Sequence, residues 1–401
     1  MKKSLLALAA IGLVSGAAQA QSAVTIYGLI DTGVAYASKV GTSASGQSGS
    51  KMSVESGAIN GSRIGFKGVE DLGDGLKALF VLENGFSTDT GAAAQGGLLF
   101  GRTATVGLSG SYGAVLVGRQ KDFLDDLSAF TSVADFGGLI SNVHARDLDR
   151  TNGERVNNSI RYNTPNVGGF YGSAIYGFGE QAGANTAGQS YGLGGAYANG
   201  PLGVGLAYFE AKKASNASGA SPTSDAAAGN AVSCAADAGT SGQTCLKTWT
   251  LAAKYQIGNA NLHGSWSQVR SPLASAGAAP SFASASSASY TPDATGQFSM
   301  GGVNNSKVNI WDIGANYAIN SQLTILGAVQ YARAEFVGAS NGNLTQINLG
   351  TNYALSKRTK LYAIYRNLRA SNVYSPGASG ATAPGANSTQ NAVNVGMIHA
   401  F

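Results

Sequence analysis

Apolar and polar residues alternate with a period of two along much of this chain. Between Val308 and Ile319, Trp311, Ile313, Ala315, Tyr317 and Ile319 interleave with Asp312, Gly314 and Asn316. In residues 345–353, Ile347, Leu349 and Tyr353 alternate with Gln346, Asn348 and Asn352. Trp249, Leu251, Ala253 and Tyr255 do the same against Thr248, Thr250 and Lys254. Successive side chains of a strand point to opposite faces, so each run predicts a strand with one apolar and one polar face. Short turn signals, such as Leu72-Gly73-Asp74-Gly75, Asn199-Gly200-Pro201 and Gly258-Asn259-Ala260, separate the runs. They alternate with longer polar segments near 39–61, 86–97, 121–154, 214–246, 272–306 and 372–390. All 8 prolines fall in these turns and loops, as expected of a residue that cannot donate to a ladder. About sixteen strands result, beginning near Val24, Ser62, Leu76, Arg102, Ala114, Val156, Gly169, Ser190, Leu202, Leu246, Asn261, Lys307, Gln322, Asn343, Arg358 and Asn391, with eighteen as the alternative.

Composition decides what the apolar faces meet. Charged residues make up 12% of the chain and Gly contributes 57 of 401 positions. After the first twenty residues no apolar run is long enough for a membrane helix, which excludes a helical membrane protein. Aromatics sit at strand ends, and short turns alternate with long loops; both are features of a transmembrane antiparallel β-barrel. In hydrocarbon an unpaired backbone group costs several kcal/mol, so such a sheet must close. The last strand, Ala392 to Phe401, is then expected to pair with the first, Val24 to Ser38.

The chain opens as a secretory signal. Lys2 and Lys3 precede an apolar stretch from Leu5 to Val14, and Ala18-Gln19-Ala20 is a small-x-small cleavage site. Residues 1–20 are thus read as a signal peptide and 21–401 as the barrel. The formal charge of +5 falls to +3 without Lys2 and Lys3, and no long basic run supports nucleic-acid binding. Cys234 and Cys245 lie close together in a polar stretch; in an oxidising exported location a local disulfide is the default. No further ligands stand near them for a metal. His144, His263 and His399 lack a neighbouring nucleophile motif, so no catalytic set is visible. The cluster Gly192-Leu193-Gly194-Gly195 lacks a strand–turn–helix setting and reads as barrel packing, so no cofactor is implied.

Several segments, in order, resemble the general diffusion porins of Gram-negative bacteria in their β-proteobacterial form. They are Val24-Thr25-Ile26-Tyr27-Gly28, Ser62-Arg63-Ile64-Gly65-Phe66-Lys67-Gly68, and Glu70 to Ala78. Gly113 to Gln120, Ala134-Asp135-Phe136-Gly137-Gly138 and the ending Val395 to Phe401 complete the set. The resemblance implies a homotrimer of sixteen-stranded barrels in the outer membrane. It also implies a third external loop, residues 121–154, folded into the lumen, and a C-terminal Phe401 that engages the barrel-assembly machinery. It implies a constriction with an acidic loop facing wall arginines, placing Arg63, Arg102 and Arg155 on the wall and Asp135 on the loop. Thr131 stands where a second loop acid is common, and Leu29 where a wall lysine is common.

Parity independently supports two of these arginines. Arg63 shares a face with Gly65 and Lys67, while Ile64 and Phe66 face the other way. Arg155 is expected to share a face with Asn157, Ser159 and Arg161, against Val156, Ile160 and Tyr162. Charge on a lipid face near the midplane costs roughly 2–4 kcal/mol, so both belong in the lumen. Arg102 shares its parity with Val106 and Leu108, which argues against it. Asp31, Lys67, Arg161, Asp122, Asp125 and Asp126 are further candidates to line the pore, with helix capping or hydration the alternative for the loop acids. The expected function is passive diffusion of small hydrophilic solutes and ions, with a modest preference for anions. A substrate-selective channel and a structural or adhesive barrel are the alternatives.

Overall fold

The computed structural model describes residues 23–401 apart from 42–47, 142, 145–148, 152–154, 181, 184, 186–188, 215–242, 271–289, 293–297, 301–304, 337–340 and 372–388. Its strands are β1 (Ala23–Gly41), β2 (Ser48–Ser56), β3 (Arg63–Gly73), β4 (Leu76–Gly85), β5 (Thr103–Gly110), β6 (Gly113–Lys121), β7 (Arg155–Asn163), β8 (Phe170–Gly177), β9 (Ser190–Asn199) and β10 (Leu202–Ala214). They continue with β11 (Gln243–Ile257), β12 (Ala260–Arg270), β13 (Tyr290–Pro292), β14 (Phe298–Met300), β15 (Asn305–Ala318), β16 (Leu323–Phe336), β17 (Gly342–Ala354), β18 (Thr359–Ser371) and β19 (Thr389–Ala400). All but β13 and β14, which form their own hairpin, belong to one antiparallel sheet.

The sheet closes where the pattern required it. β1 pairs with β19 from Leu29 opposite Ala400 to Ala37 opposite Ala392. Phe401 extends the seam: its amide donates to the Gly28 carbonyl at 3.1 Å, and the Gly28 amide donates to the Phe401 carbonyl at 3.2 Å. β1 pairs with β3 over Ala23 to Leu29 and with β2 over Thr32 to Gly41. β2 and β3 therefore share one position in the wall, and the barrel has sixteen positions.

β2 corrects the reading of 39–61 as external loop. Met52 and Val54 face outward and are exposed, so this stretch does alternate, and the outer half of β1 needs a partner for its backbone. Among the described residues of this stretch only 57–62 leave the ladder, and they turn into the barrel. Wall height is uneven. β5 to β8 are 8, 9, 9 and 8 residues long, whereas β10, β11, β15 and β16 have 13 to 15.

Outward residues are apolar and exposed, among them Ile26, Val34, Leu206, Leu251, Ile313 and Val395. The inner face is not the uniformly wet surface that the alternation suggests. The described residues of the segment 121–154 run inside the wall and cover part of it. Phe123, Leu124, Leu127 and Phe130 pack against Ile175, Ala196, Ala207, Phe209 and Ala252. Farther along, Phe136, Leu139 and Ile140 pack against Ile59, Leu326, Ile364 and Ile398. Gly194 makes room for this docking, since a Cβ there would run into the Phe123 ring. Cys245 belongs to β11, whereas Cys234, and with it the expected Cys234–Cys245 bridge, lies outside the described residues.

Candidate functional site

The inner loop is tied down at its root by charges. Asp122 caps the helical turn Phe123–Asp126 by accepting from the Leu124 amide at 2.9 Å, and it pairs with Arg150. Both side chains are buried, and the Arg150 guanidinium lies 3.9 Å from the Phe209 ring centroid. Lys121 holds Asp125 at 2.8 Å. Arg161 on β7 pairs with Asp126 and donates to the Lys121 carbonyl at 2.8 Å. Burial raises the Asp126 carboxyl above its ordinary range, with Arg161 opposing that rise. Three acids and one arginine expected as pore lining thus join the loop to itself and to the wall.

The middle of the loop is fixed to the far wall. The Ser132 hydroxyl donates to Asp312 of β15. His144 lies between Asp149, at 2.7 Å, and Asp312, at 3.1 Å, with none of the three exposed. Burial alone disfavours an imidazolium, but the two carboxylates outweigh it and hold the His144 pKa up at about 10. Asp135 lies 2.9 Å from Nε2 of His263 on β12 and accepts from the Asn316 amide at 3.1 Å. Gln346 and Arg366 both donate to the Leu139 carbonyl, at 3.0 and 3.1 Å.

The inward turn 57–62 receives the far end of the loop. Asp31, fully buried, accepts from the amides of Ile59 at 2.9 Å and Asn60 at 2.7 Å and from the Tyr362 hydroxyl at 2.9 Å. The Gly138 amide donates to the Ile59 carbonyl at 3.2 Å. Asp31 therefore holds backbone in place and presents no carboxylate to open lumen. Leu29 packs against this apolar cluster.

The remaining wall carries the cations. Arg63, at the start of β3, is half-buried; its Nε has no hydrogen-bond partner and the guanidinium forms no ion pair among the described residues. Arg102 bonds Glu83 of β4 through Nε at 2.6 Å, and the Tyr27 hydroxyl donates to the other Glu83 oxygen at 2.9 Å. Lys67 lies 5.3 Å from the Tyr27 ring centroid. The Arg155 Nε donates to the Arg102 carbonyl at 3.2 Å.

Two parity arguments need correction. Arg102 precedes β5, which starts at Thr103, so it is free of that strand's alternation and turns inward to Glu83. On β7 the alternation breaks: Val156 and Ser159 are both buried, and Asn158 has a positive φ of 49°. The face of Arg155 therefore cannot be read by counting back from Arg161. Glu83 went unnoticed because Ala78-Leu79-Phe80-Val81-Leu82 shows no alternation from which to assign its face. Asp312 did leave a signal, as the one acid in the alternating run from Val308 to Ile319. Arg366 and Lys360 also face inward, Lys360 within electrostatic reach of Asp31 and Asp135.

The family model for Gram-negative porins matches residues 7–373. The chain belongs to that family. This porin is 34% identical to outer membrane porin protein 32 of Delftia acidovorans, with 100% of each chain covered. It is 31% identical to an outer membrane porin protein of Bordetella pertussis, covering 90% of this chain and 93% of that one. Its structure is similar to an anion-selective porin from Comamonas acidovorans, with a TM-score of 0.69 and 29% identity over 95% of this chain and 100% of the other. The fold is shared with the trimer form of OmpT from Vibrio cholerae at a TM-score of 0.62, 15% identity, and coverage of 95% and 99%. The porin is an outer-membrane protein and a passive channel for small polar solutes.

Proposed function

We propose that this porin conducts small anions in modest preference to cations, through an aperture between the wall bearing Arg63, Arg102, Arg155 and Lys67 and the inner loop. The observation that carries this reading is the asymmetry of pairing. Asp122, Asp125, Asp126 and Asp149 of the loop each meet a cationic partner, and Asp135 faces His263 and Asn316. Among the described residues Arg63 pairs with no acid, and Arg102 pairs with a single one, Glu83. Charges at a narrow throat lie within a Debye length of about 8–10 Å, so they act on every ion that passes. Low-dielectric walls focus the field further. The solved relative described as an anion-selective porin supports the same sign.

The working protein is a homotrimer, with β5 to β8 turned toward the neighbouring protomers. A tilted strand needs roughly 9–11 residues to cross a bilayer, and these four are at or below that length. The structural neighbour OmpT is described in trimer form. Residues 1–20 direct export and are removed, and Phe401 serves as the assembly signal. No catalytic chemistry is assigned.

Reversal potentials across a planar bilayer in a KCl gradient test the selectivity. The expected sign is anionic, weakening in Arg63→Ala and fading at high salt. A cation-selective wild type would overturn it.

A further inference from the structure

At the end of the barrel where the turns are short, the periplasmic end, the lumen wall forms a pocket of about 440 Å³. That volume falls in the range of small-molecule sites, roughly 300–1,000 Å³. The turns at Gly200-Pro201 and Gly258-Asn259 form its rim, and Lys254, Gln256, Asn261 and Asn316 supply its inward side chains. Strand register brings these together. Asn261 of β12 stands opposite Gln256 of β11 on one side and opposite Asn316 of β15 on the other. Lys254 occupies the next inward position of β11. The inner loop borders the pocket through Phe130 and Asp135.

The chemistry of the lining is specific. Lys254 is its one cation, and no carboxylate is among the residues that line it. The Lys254 ammonium lies 5.0 Å from the Phe130 ring centroid. Its stem runs over Gly203, where a Cβ would come within 3.1 Å of the lysine Cγ. The ammonium is thus held in place without an acid to neutralise it among the described residues. Asn316 gives its amide nitrogen to Asp135 at 3.1 Å, which leaves its carbonyl oxygen for a ligand. Gln256 donates only to the Gly258 carbonyl, at 3.4 Å, and the Asn261 carboxamide bonds to no described residue.

We propose that this pocket is a subsite for a polyhydroxylated monocarboxylate of the sugar-acid class, bound after it has passed the aperture. The carboxylate would take a charge-assisted hydrogen bond from Lys254. Carboxamides both donate and accept, so Asn261, Gln256 and Asn316 suit a row of hydroxyl groups. A single cation with Asp135 close behind Asn316 favours one negative charge over two. The pocket would let the channel discriminate among anions, which an open cationic wall does not do. For solute arriving from outside the cell this rests on the anion-preferring reading of the aperture; from the periplasmic side the pocket is reached without crossing it.

Single channels of one orientation in a planar bilayer test this, with gluconate, acetate or glucose added on the periplasmic side. Gluconate is expected to lower the conductance saturably, at a concentration roughly tenfold below that needed for acetate or glucose, since a hydrogen bond to a charged group contributes about 1.5–3 kcal/mol. Lys254→Gln should abolish the advantage of gluconate over glucose. Asn261→Leu, which keeps the charge, should abolish its advantage over acetate and retain that over glucose. Arg63→Ala should weaken anion selectivity in KCl yet leave the gluconate titration unchanged, so failure at the aperture and failure at the pocket are read separately. Equal titrations by the three solutes in the wild type would overturn the proposal, as would an undiminished gluconate preference in Lys254→Gln. Heat-modifiable gel mobility reports folding; if one of the two pocket variants does not fold, the other carries the test.

Discussion

The His144 ring and the Asp312 carboxylate meet 3.1 Å apart with neither exposed, joining the inner loop to the wall of the barrel. Asp149 holds the other ring nitrogen, so the charged imidazolium is the form the fold favours. A group whose pKa is raised on folding stabilises fully below its ordinary value, here 6.5, and that contribution disappears as pH rises through about 10. Channel noise and loop protease sensitivity in the wild type should therefore increase between pH 9 and 11 (roughly one unit either side of that pKa). His144→Asn should show the alkaline behaviour already at about pH 7, since removing one partner of a buried ion pair typically costs about 3–5 kcal/mol. A variant with wild-type noise and the same alkaline transition would refute the assignment.

Glu83 restrains the wall cations. It bonds both Arg102 and Tyr27, and it faces Gly65 across the ladder, two residues from Arg63. Glu83→Gln should raise the anion-to-cation permeability ratio, on the order of twofold for one unit charge at a focused throat. Bi-ionic potentials before and after the substitution measure it. An unchanged or lowered ratio would place Glu83 away from the ion path.

Gly137 is the point at which the loop meets the turn 57–62. Its φ of 49° with ψ of −128° is a conformation that side chains rarely adopt, and a Cβ would collide with the Ile59 carbonyl. Gly137→Ala should cost about 1–3 kcal/mol in backbone strain alone and push the loop away from Ile59. Single-channel conductance should change in size or become heterogeneous while the barrel still resists detergent. Normal conductance with normal stability would contradict this contact.

Cys234 and Cys245 are expected to be oxidised to each other in the exported protein. Closing a loop of about ten residues contributes roughly 2–3 kcal/mol in the chain-entropy account, so the barrel should survive its loss. Alkylation without reduction, followed by intact-mass measurement, should label no thiol. Two labelled cysteines would rule the bridge out.

Apart from β2 and the hairpin of β13 and β14, strand existence and approximate start were legible in the chain because a period of two is a local property. β4, β9, β10 and β15 begin within two residues of the expected positions. The seam from Ala392 to Phe401 against β1 was also legible, since a barrel in hydrocarbon tolerates no edge. Where a residue lay off a regular strand, counting failed. Arg102 escapes the parity of β5 by lying before it, and the positive φ at Asn158 breaks the phase between Arg161 and Arg155.

What the sequence by itself determined was the outer shell: apolar faces toward lipid, polar faces inward, turns and loops segregated to opposite ends. What only the tertiary structure decided was which inward groups meet water. Alternation distinguishes two sides of a sheet and says nothing about a loop that comes back to cover one of them. In sequence Asp31 and Asp122 look like pore-lining acids, and Asp312 stands on a polar strand face. The returning loop buries Asp122 and Asp312 and packs beside the turn that covers Asp31, and burial demands partners; they are found in Ile59, Arg150 and His144. Arg63, by contrast, lies on wall where no described acid pairs with it, and the proposed anion preference rests on that difference.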